Sequence, residues 1–287
     1  MEENAPGRPV AGCALITALY VGSIYAFRPG GARNRNDAAE IWGRMVRITA
    51  ASLAVLLLTC LERGARLGAT LAALRVPGAS PGAAAARGAG HVLLLYVGPL
   101  TMDVLDAWAA AEGPGPRRAR AAAKGALANV LLGHGVAGWR DLADLRNVRT
   151  LAFGPVTEEF CFRACMLARF RPPAGRAPPA AIAAVPLFFG LAHFTHAVEL
   201  VAVHRVPRLR AVLATLPVFL YTYLFGCFAA YLHEARGSIA APIAAHVAAN
   251  LLGFPDFARM RRHPRSALLA AATAAGVGLF AASLRSR

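Results

Sequence analysis

Apolar residues run through this chain in blocks, and the blocks lack the polar stripe of a helix that lies on water. A bilayer crossing takes about 20 mostly apolar residues. Seven blocks approach that length: 11–27, 48–61, 92–108, 182–203, 213–232, 239–252 and 267–284. An eighth, 126–136, has the length of a short span or half-helix. The shorter blocks are expected to be buried among other helices, where a bundle rather than lipid surrounds them. The pattern predicts an all-α fold, a polytopic transmembrane helix bundle of about 7–8 spans with its polar centre between helices.

Polar connectors separate the blocks. Segment 28–44 is polar and Gly-rich, and 77–90 reads as an Ala/Gly/Pro loop of low complexity. GPGPRRAR at 113–120 reads as a basic turn. RFRPPAGRAPP at 169–179 breaks the chain, and RMRRHPR at 259–265 precedes the last block. Neither an internal repeat nor a linker to a soluble domain is visible, so one integral membrane domain, 1–287, is expected. The first block follows Glu2 and Glu3 rather than a basic run, and further blocks come after it. It is therefore expected to be a retained span rather than a signal peptide.

Composition agrees. The 287 residues are 57% hydrophobic and 16% charged, against about 25% charged in an ordinary soluble domain. The net charge is +16, nearly all arginine, with Lys124 the only lysine. The arginines stand in short runs between apolar blocks, as juxtamembrane residues facing anionic headgroups do. They are not interleaved with aromatics, so no nucleic-acid partner is expected. Basic residues occur in almost every connector, which leaves orientation open. The cysteines, Cys13, Cys60, Cys161, Cys165 and Cys227, form no CxxC pair and read as small buried hydrophobes.

Ionisable groups within apolar blocks cost about 2.5–3.5 kcal/mol each on insertion, and so are candidates for function. In VTEEFCFRACM, 156–166, Glu159 and Arg163 are four apart on a helix in the favourable order, acid before base. Glu158 points about 100° away from Glu159 and is left to aim elsewhere. Gly154-Pro155 upstream can start the helix, which would put both carboxylates at the positive end of its dipole. Phe189 and His193 are also four apart, so the ring can pack on the imidazole and fix its rotamer. His196 and Glu199, three apart, are expected to pair and to back the polar centre. His246 and Asn250 share a face of a third apolar helix, a pairing suited to holding an oxyanion or a water. Asp103 and Asp106 read as solvated. Singly, each set also reads as ordinary structure: a salt bridge at a helix start, a satisfied core histidine, an interhelical hydrogen bond. A P-loop and H-E-x-x-H are both absent.

Taken together, Glu158-Glu159-x-x-x-Arg163, Phe189-x-x-x-His193 and His246-x-x-x-Asn250 resemble, in order and spacing, the CAAX prenyl protease 2 family of the Rce1 type. The flanks PVTEEFCFRACML (155–167), FGLAHFTHAVE (189–199) and NLLGFPDF (250–257) are similar to the eukaryotic enzymes rather than to the distant bacterial ones. The resemblance is close over 145–257, the expected catalytic core.

It implies a multi-pass endopeptidase of the endoplasmic reticulum membrane that removes the last three residues of prenylated CAAX proteins, such as small GTPases. Glu158 would be the general base for a water, with His193 positioning it. His246 and Asn250 would hold the carbonyl oxygen, and Glu159 and Arg163 would order the glutamate helix. Neither a metal nor another cofactor is implied. Two other readings stay open on the residues alone: a zinc peptidase with Glu158, His193 and His246 as ligands, and a non-catalytic membrane scaffold of the same fold.

Overall fold

The computed structural model describes residues 7–25, 36–132, 143–172 and 175–285. Those residues are helical throughout, joined by turns. In chain order the helices are α1 Gly7–Tyr25, α2 Ala38–Arg63, α3 Leu67–Ala73, α4 Pro81–Leu95, α5 Val97–Ala110, α6 Gly115–Leu132 and α7 Leu145–Val148. A π-helical stretch, Arg149–Phe153, leads into α8 Gly154–Glu159, and a second, Phe160–Cys165, follows it. Then come α9 Pro179–Ala192, α10 Thr195–Ala202, α11 Arg208–Arg236, α12 Ala240–Leu252, α13 Phe257–Arg262 and α14 Ser266–Arg285.

Five helical stretches are long and apolar enough to cross a membrane: 7–25, 38–63, 179–202 (α9 with α10), 208–236 and 266–285. A sixth exists if α4 and α5 are counted as one span. The two meet at 71°. Pro99 supplies the cause: it has no N–H to give to the carbonyl four residues back, so the helix cannot run straight through this point. The expected block 239–252 is helical but covers only 13 residues as α12, too short to cross alone. Block 126–136 begins inside α6, and residues 133–136 lie outside the described residues, as does His134. On α11, Leu209, Leu213, Leu216, Leu220 and Leu224 are exposed at three- and four-residue spacing. That stripe is the face an apolar helix turns to lipid.

The chain forms two compact units, Met1–Ala84 with Phe153–Ile243, and Ala85–Ala152 with Ala244–Arg287. In the first, the segment after Glu159 is the central element. Every residue from Cys161 to Ala168 is buried, Arg163 included. Around it pack Cys13, Ile16 and Tyr20 of α1, Val55 of α2, and Val185 and Phe189 of α9. Helices α9 and α11 approach closely because Gly226 faces Pro186: a Cβ there would sit 2.8 Å from Pro186 Cβ and 3.1 Å from Arg163 Nη2. α2 ends at Gly64, whose left-handed backbone (φ 57°) lets its N–H cap the carbonyls of Cys60 and Leu61. In the second unit, Gly276 of α14 lets Leu94 and Val97 come close. Asp106 pairs with Arg259 and, at 3.2 Å, with His263.

Four expectations are corrected. The Ala-rich 77–90 is not a loop; from Pro81 on it is the start of α4, as alanine's helix propensity favours once proline opens the helix. The basic turn 113–120 is a turn only to Gly115, after which PRRAR is the first part of α6. The polar segment 28–44 gives way to α2 at Ala38, which places Arg44 within that helix. Lastly, Gly154-Pro155 does not begin a new helix. Phe153 already has helical dihedrals, so Glu158 and Glu159 lie mid-helix and receive no free N-terminal dipole. Pro155, lacking its N–H, instead interrupts the regular bonding pattern, and π-helical turns flank α8 on both sides.

Candidate active site

The two carboxylates of α8 take different surroundings. Glu159 is fully buried, and its Oε2 lies 3.2 Å from Nε of Arg163, itself 1% exposed. The contact is an ion pair and not an aligned hydrogen bond, since neither atom meets hydrogen-bond geometry with the other. The pair forms as the i,i+4 spacing predicts, although the turn between them is π-helical. The Arg163 guanidinium carbon also sits 4.1 Å from the centre of the Phe189 ring. That cation–π contact stands where its Nη groups have no hydrogen-bond partner among the described residues.

Phe189 passes the ordering on. Its ring meets the His193 ring edge-to-face at 4.7 Å. His193 closes α9, and its Nδ1 lies 2.8 Å from the Phe189 carbonyl. A carbonyl only accepts, so Nδ1 donates, and in the neutral ring Nε2 is then the lone-pair nitrogen.

Glu158 turns to the other side of its helix. It lines a cavity of about 270 Å³ whose wall also carries Phe189, His193, His196 and Glu199. The first unit thus gathers five of the sequence candidates around one cavity, with Glu159 and Arg163 behind it. The His193 and His196 rings lie 6.0 Å apart. The remaining two candidates, His246 and Asn250, belong to the second unit, on α12. His246 is 7% exposed, and Asn250 donates Nδ2–H to the Thr150 carbonyl at 2.7 Å. One N–H of the amide remains beyond that bond.

Several residues of consequence were not singled out from sequence. Tyr20 of α1 lines the cavity, packs edge-on against Phe162 at 5.3 Å and bonds to Thr157 Oγ1 at 2.9 Å. Thr157 gives its own proton to the Phe153 carbonyl at 3.0 Å, so Tyr20 is the donor. This tether fixes the residue next to Glu158. The available signal was a polar-tipped aromatic within an otherwise aliphatic block. Arg44 lines the same cavity, and its signal was the Glu40-x-x-x-Arg44 spacing.

A second polar cluster ties connector 169–179 to the end of α11. Glu234 accepts from Arg75 at 3.0 Å, from Arg171, and from the Ala177 amide at 3.0 Å. His233 beside it is fully buried, 3.4 Å from Arg171. Burial and the Arg171 charge push the Arg75 guanidinium below its ordinary range, and Glu234 opposes them. Cys13, Cys161 and Cys165 are buried among apolar neighbours, as packing residues are. Among the described residues, no group of three or more His, Cys, Asp or Glu is arranged to hold a metal ion.

Residues 145–252 match the family model described as Type II CAAX prenyl endopeptidase Rce1-like. Over 279 residues the chain is 33% identical to human CAAX prenyl protease 2, covering 94% of this chain and 78% of the human one. The rat protein of the same name is 31% identical, covering 94% of this chain and 77% of its own. Probable CAAX prenyl protease 2 of Schizosaccharomyces pombe is 27% identical over 243 residues, 84% of this chain and 79% of its own. No solved structure matches the chain.

Proposed function

Because this chain belongs to the Rce1-like family of CAAX prenyl endopeptidases, we propose that it hydrolyses the peptide bond after a prenylated cysteine, with Glu158 as the base. The enzyme is a multi-pass membrane protein, and its substrates are prenylated CAAX proteins, small GTPases among them. Its place is the endoplasmic reticulum membrane. The observation that carries the assignment is the divided environment of the α8 carboxylates: Glu159 is held by Arg163, and Glu158 faces a cavity with His193.

The steps follow from those positions. Glu158 takes a proton from water, and the resulting hydroxide oxygen attacks the carbonyl carbon of the prenylcysteine. His193, with Nδ1–H fixed on the Phe189 carbonyl, offers Nε2 to orient that water. Negative charge moves to the carbonyl oxygen, a role for which the resemblance in motif order and spacing suggests His246 and Asn250 as donors. Such donors are worth about 2.7–4 kcal/mol each in acyl-transfer enzymes. The C–N bond breaks, the Glu158 proton goes to the departing amine, and the products are a prenylcysteine carboxylate and a free tripeptide. The prenyl chain stays with the bilayer or an apolar groove throughout, contributing about 0.8 kcal/mol per buried CH₂. Glu158→Gln and His193→Ala are expected to abolish tripeptide release from a farnesylated peptide while the purified proteins keep wild-type thermal stability. Wild-type cleavage by a folded Glu158→Gln variant would remove Glu158 from the role of base.

A further inference from the structure

The peptide on the leaving side of the scissile bond ends in a free α-carboxylate, a second mark beside the prenylcysteine that the enzyme can read. The anion at that end needs a cation in the same cavity as the base. Among the described residues lining the cavity of Glu158 and His193, Arg44 alone carries a fixed positive charge. We propose that Arg44 binds the substrate's terminal α-carboxylate, and so selects chains with a free C-terminus close behind the prenylcysteine. The inference rests on the prenyl-endopeptidase reading above.

The charge balance around Arg44 carries the argument. Glu40 of α2 is buried, and its Oε1 lies 2.7 Å from Arg44 Nε and 3.4 Å from Arg47 Nη2. One carboxylate thus serves two guanidinium groups at the start of a membrane-crossing helix. Arg47 is tied on its other side, its Nε donating to the Ser23 carbonyl at 3.1 Å. It is Arg44 that reaches the cavity. A guanidinium has five N–H donors, so the bond from Nε to Glu40 leaves the fork of the side chain to present to a carboxylate in two-point contact.

A structural ion pair for Glu40 needs one arginine, not two. Glu199 is on the same wall and lowers the affinity for any dianion, which favours the single charge of a carboxylate. An extended tripeptide spans about 10 Å. The scissile carbonyl at Glu158 and the terminal carboxylate at Arg44 are then read by different side chains of one cavity.

The test uses the purified full-length protein and one farnesylated CAAX peptide in two forms, free acid and C-terminal amide. Wild type is expected to cleave the acid with a kcat/KM about 10- to 100-fold higher, chiefly through KM, as hydrogen bonds to a charged group supply. Arg44→Gln is expected to bring the acid-to-amide ratio close to one. Arg47→Gln, which shares Glu40 but lies off the cavity, is expected to keep the wild-type ratio. Arg44→Lys keeps a positive charge beside Glu40 but loses the fork, and is expected to lower the ratio several-fold. It supplies the answer if Arg44→Gln fails to fold. Equal cleavage of acid and amide by wild type overturns the inference while leaving the reaction standing. So does a wild-type ratio in either folded Arg44 variant. Cleavage of neither form by wild type overturns the reaction and the inference together.

Discussion

The adjacent carboxylates of α8 separate stability from chemistry, and Glu159→Ala tests that separation. The substitution leaves Arg163 buried, 1% exposed, with its partner at 3.2 Å removed. Stranding one member of a buried pair costs about 3–5 kcal/mol. The contact with Phe189 at 4.1 Å remains and is worth about 2 kcal/mol when desolvated. Replacing the stranded cation as well, in Glu159→Ala/Arg163→Met, removes the uncompensated charge and forfeits only that contact. The double variant is therefore expected to be the more stable of the two, about 1–3 kcal/mol below wild type. The assay is thermal: the fraction of protein still monodisperse in detergent after heating, read by size exclusion. At about 2–4 °C per kcal/mol, Glu159→Ala falls by roughly 6–20 °C and the double variant by roughly 2–12 °C. Glu158→Ala, on the cavity wall, is expected to stay within about 2 °C of wild type by the same conversion while losing activity. A Glu159→Ala midpoint equal to wild type, or a double variant less stable than the single one, would refute the reasoning.

Other outcomes follow from the same geometry. Asn250→Ala is expected to lower kcat by about 10²–10³ with little change in KM; a loss confined to thermal stability would show that the amide serves only its bond to Thr150. Phe189→Leu removes the ring between Arg163 and His193, and is expected to lower both kcat and the thermal midpoint. Gly226→Ala drives a methyl against Pro186 and Arg163 and is expected to cost about 1–3 kcal/mol, read as a lower midpoint. Glu234→Ala unties Arg75, Arg171 and the Ala177 amide, and is expected to lower stability without changing KM for a prenylated peptide. Activity is expected to survive phenanthroline; loss with recovery on added zinc would favour Glu158, His193 and His246 as metal ligands.

What could be read from the sequence was whatever depends on local spacing. Glu159 with Arg163 and Phe189 with His193 are four-residue contacts, and both form. Apolar blocks gave the membrane helices, because length and composition alone decide whether a helix can cross. What escaped was set by the third dimension. The role of Tyr20 depends on Thr157, 137 residues away, and no periodicity carries such a pairing. Arg44 looked like part of a polar connector because the block pattern starts α2 at Ile48, ten residues after the helix does. Ala-rich 77–90 was misread because Gly and Pro suggest loops, while Pro81 sits where a helix tolerates it, at the first position. The π-helical turns beside Pro155 left no trace in hydropathy.

The central claim is tested most directly by incubating the purified protein with one CAAX-ended peptide, farnesylated or bare, and identifying the products by mass. The expected result is a single cut after the prenylated cysteine, releasing the terminal tripeptide from the farnesylated form and nothing from the bare one. Release from both forms alike, or an intact farnesylated peptide after prolonged incubation with folded protein, would contradict it.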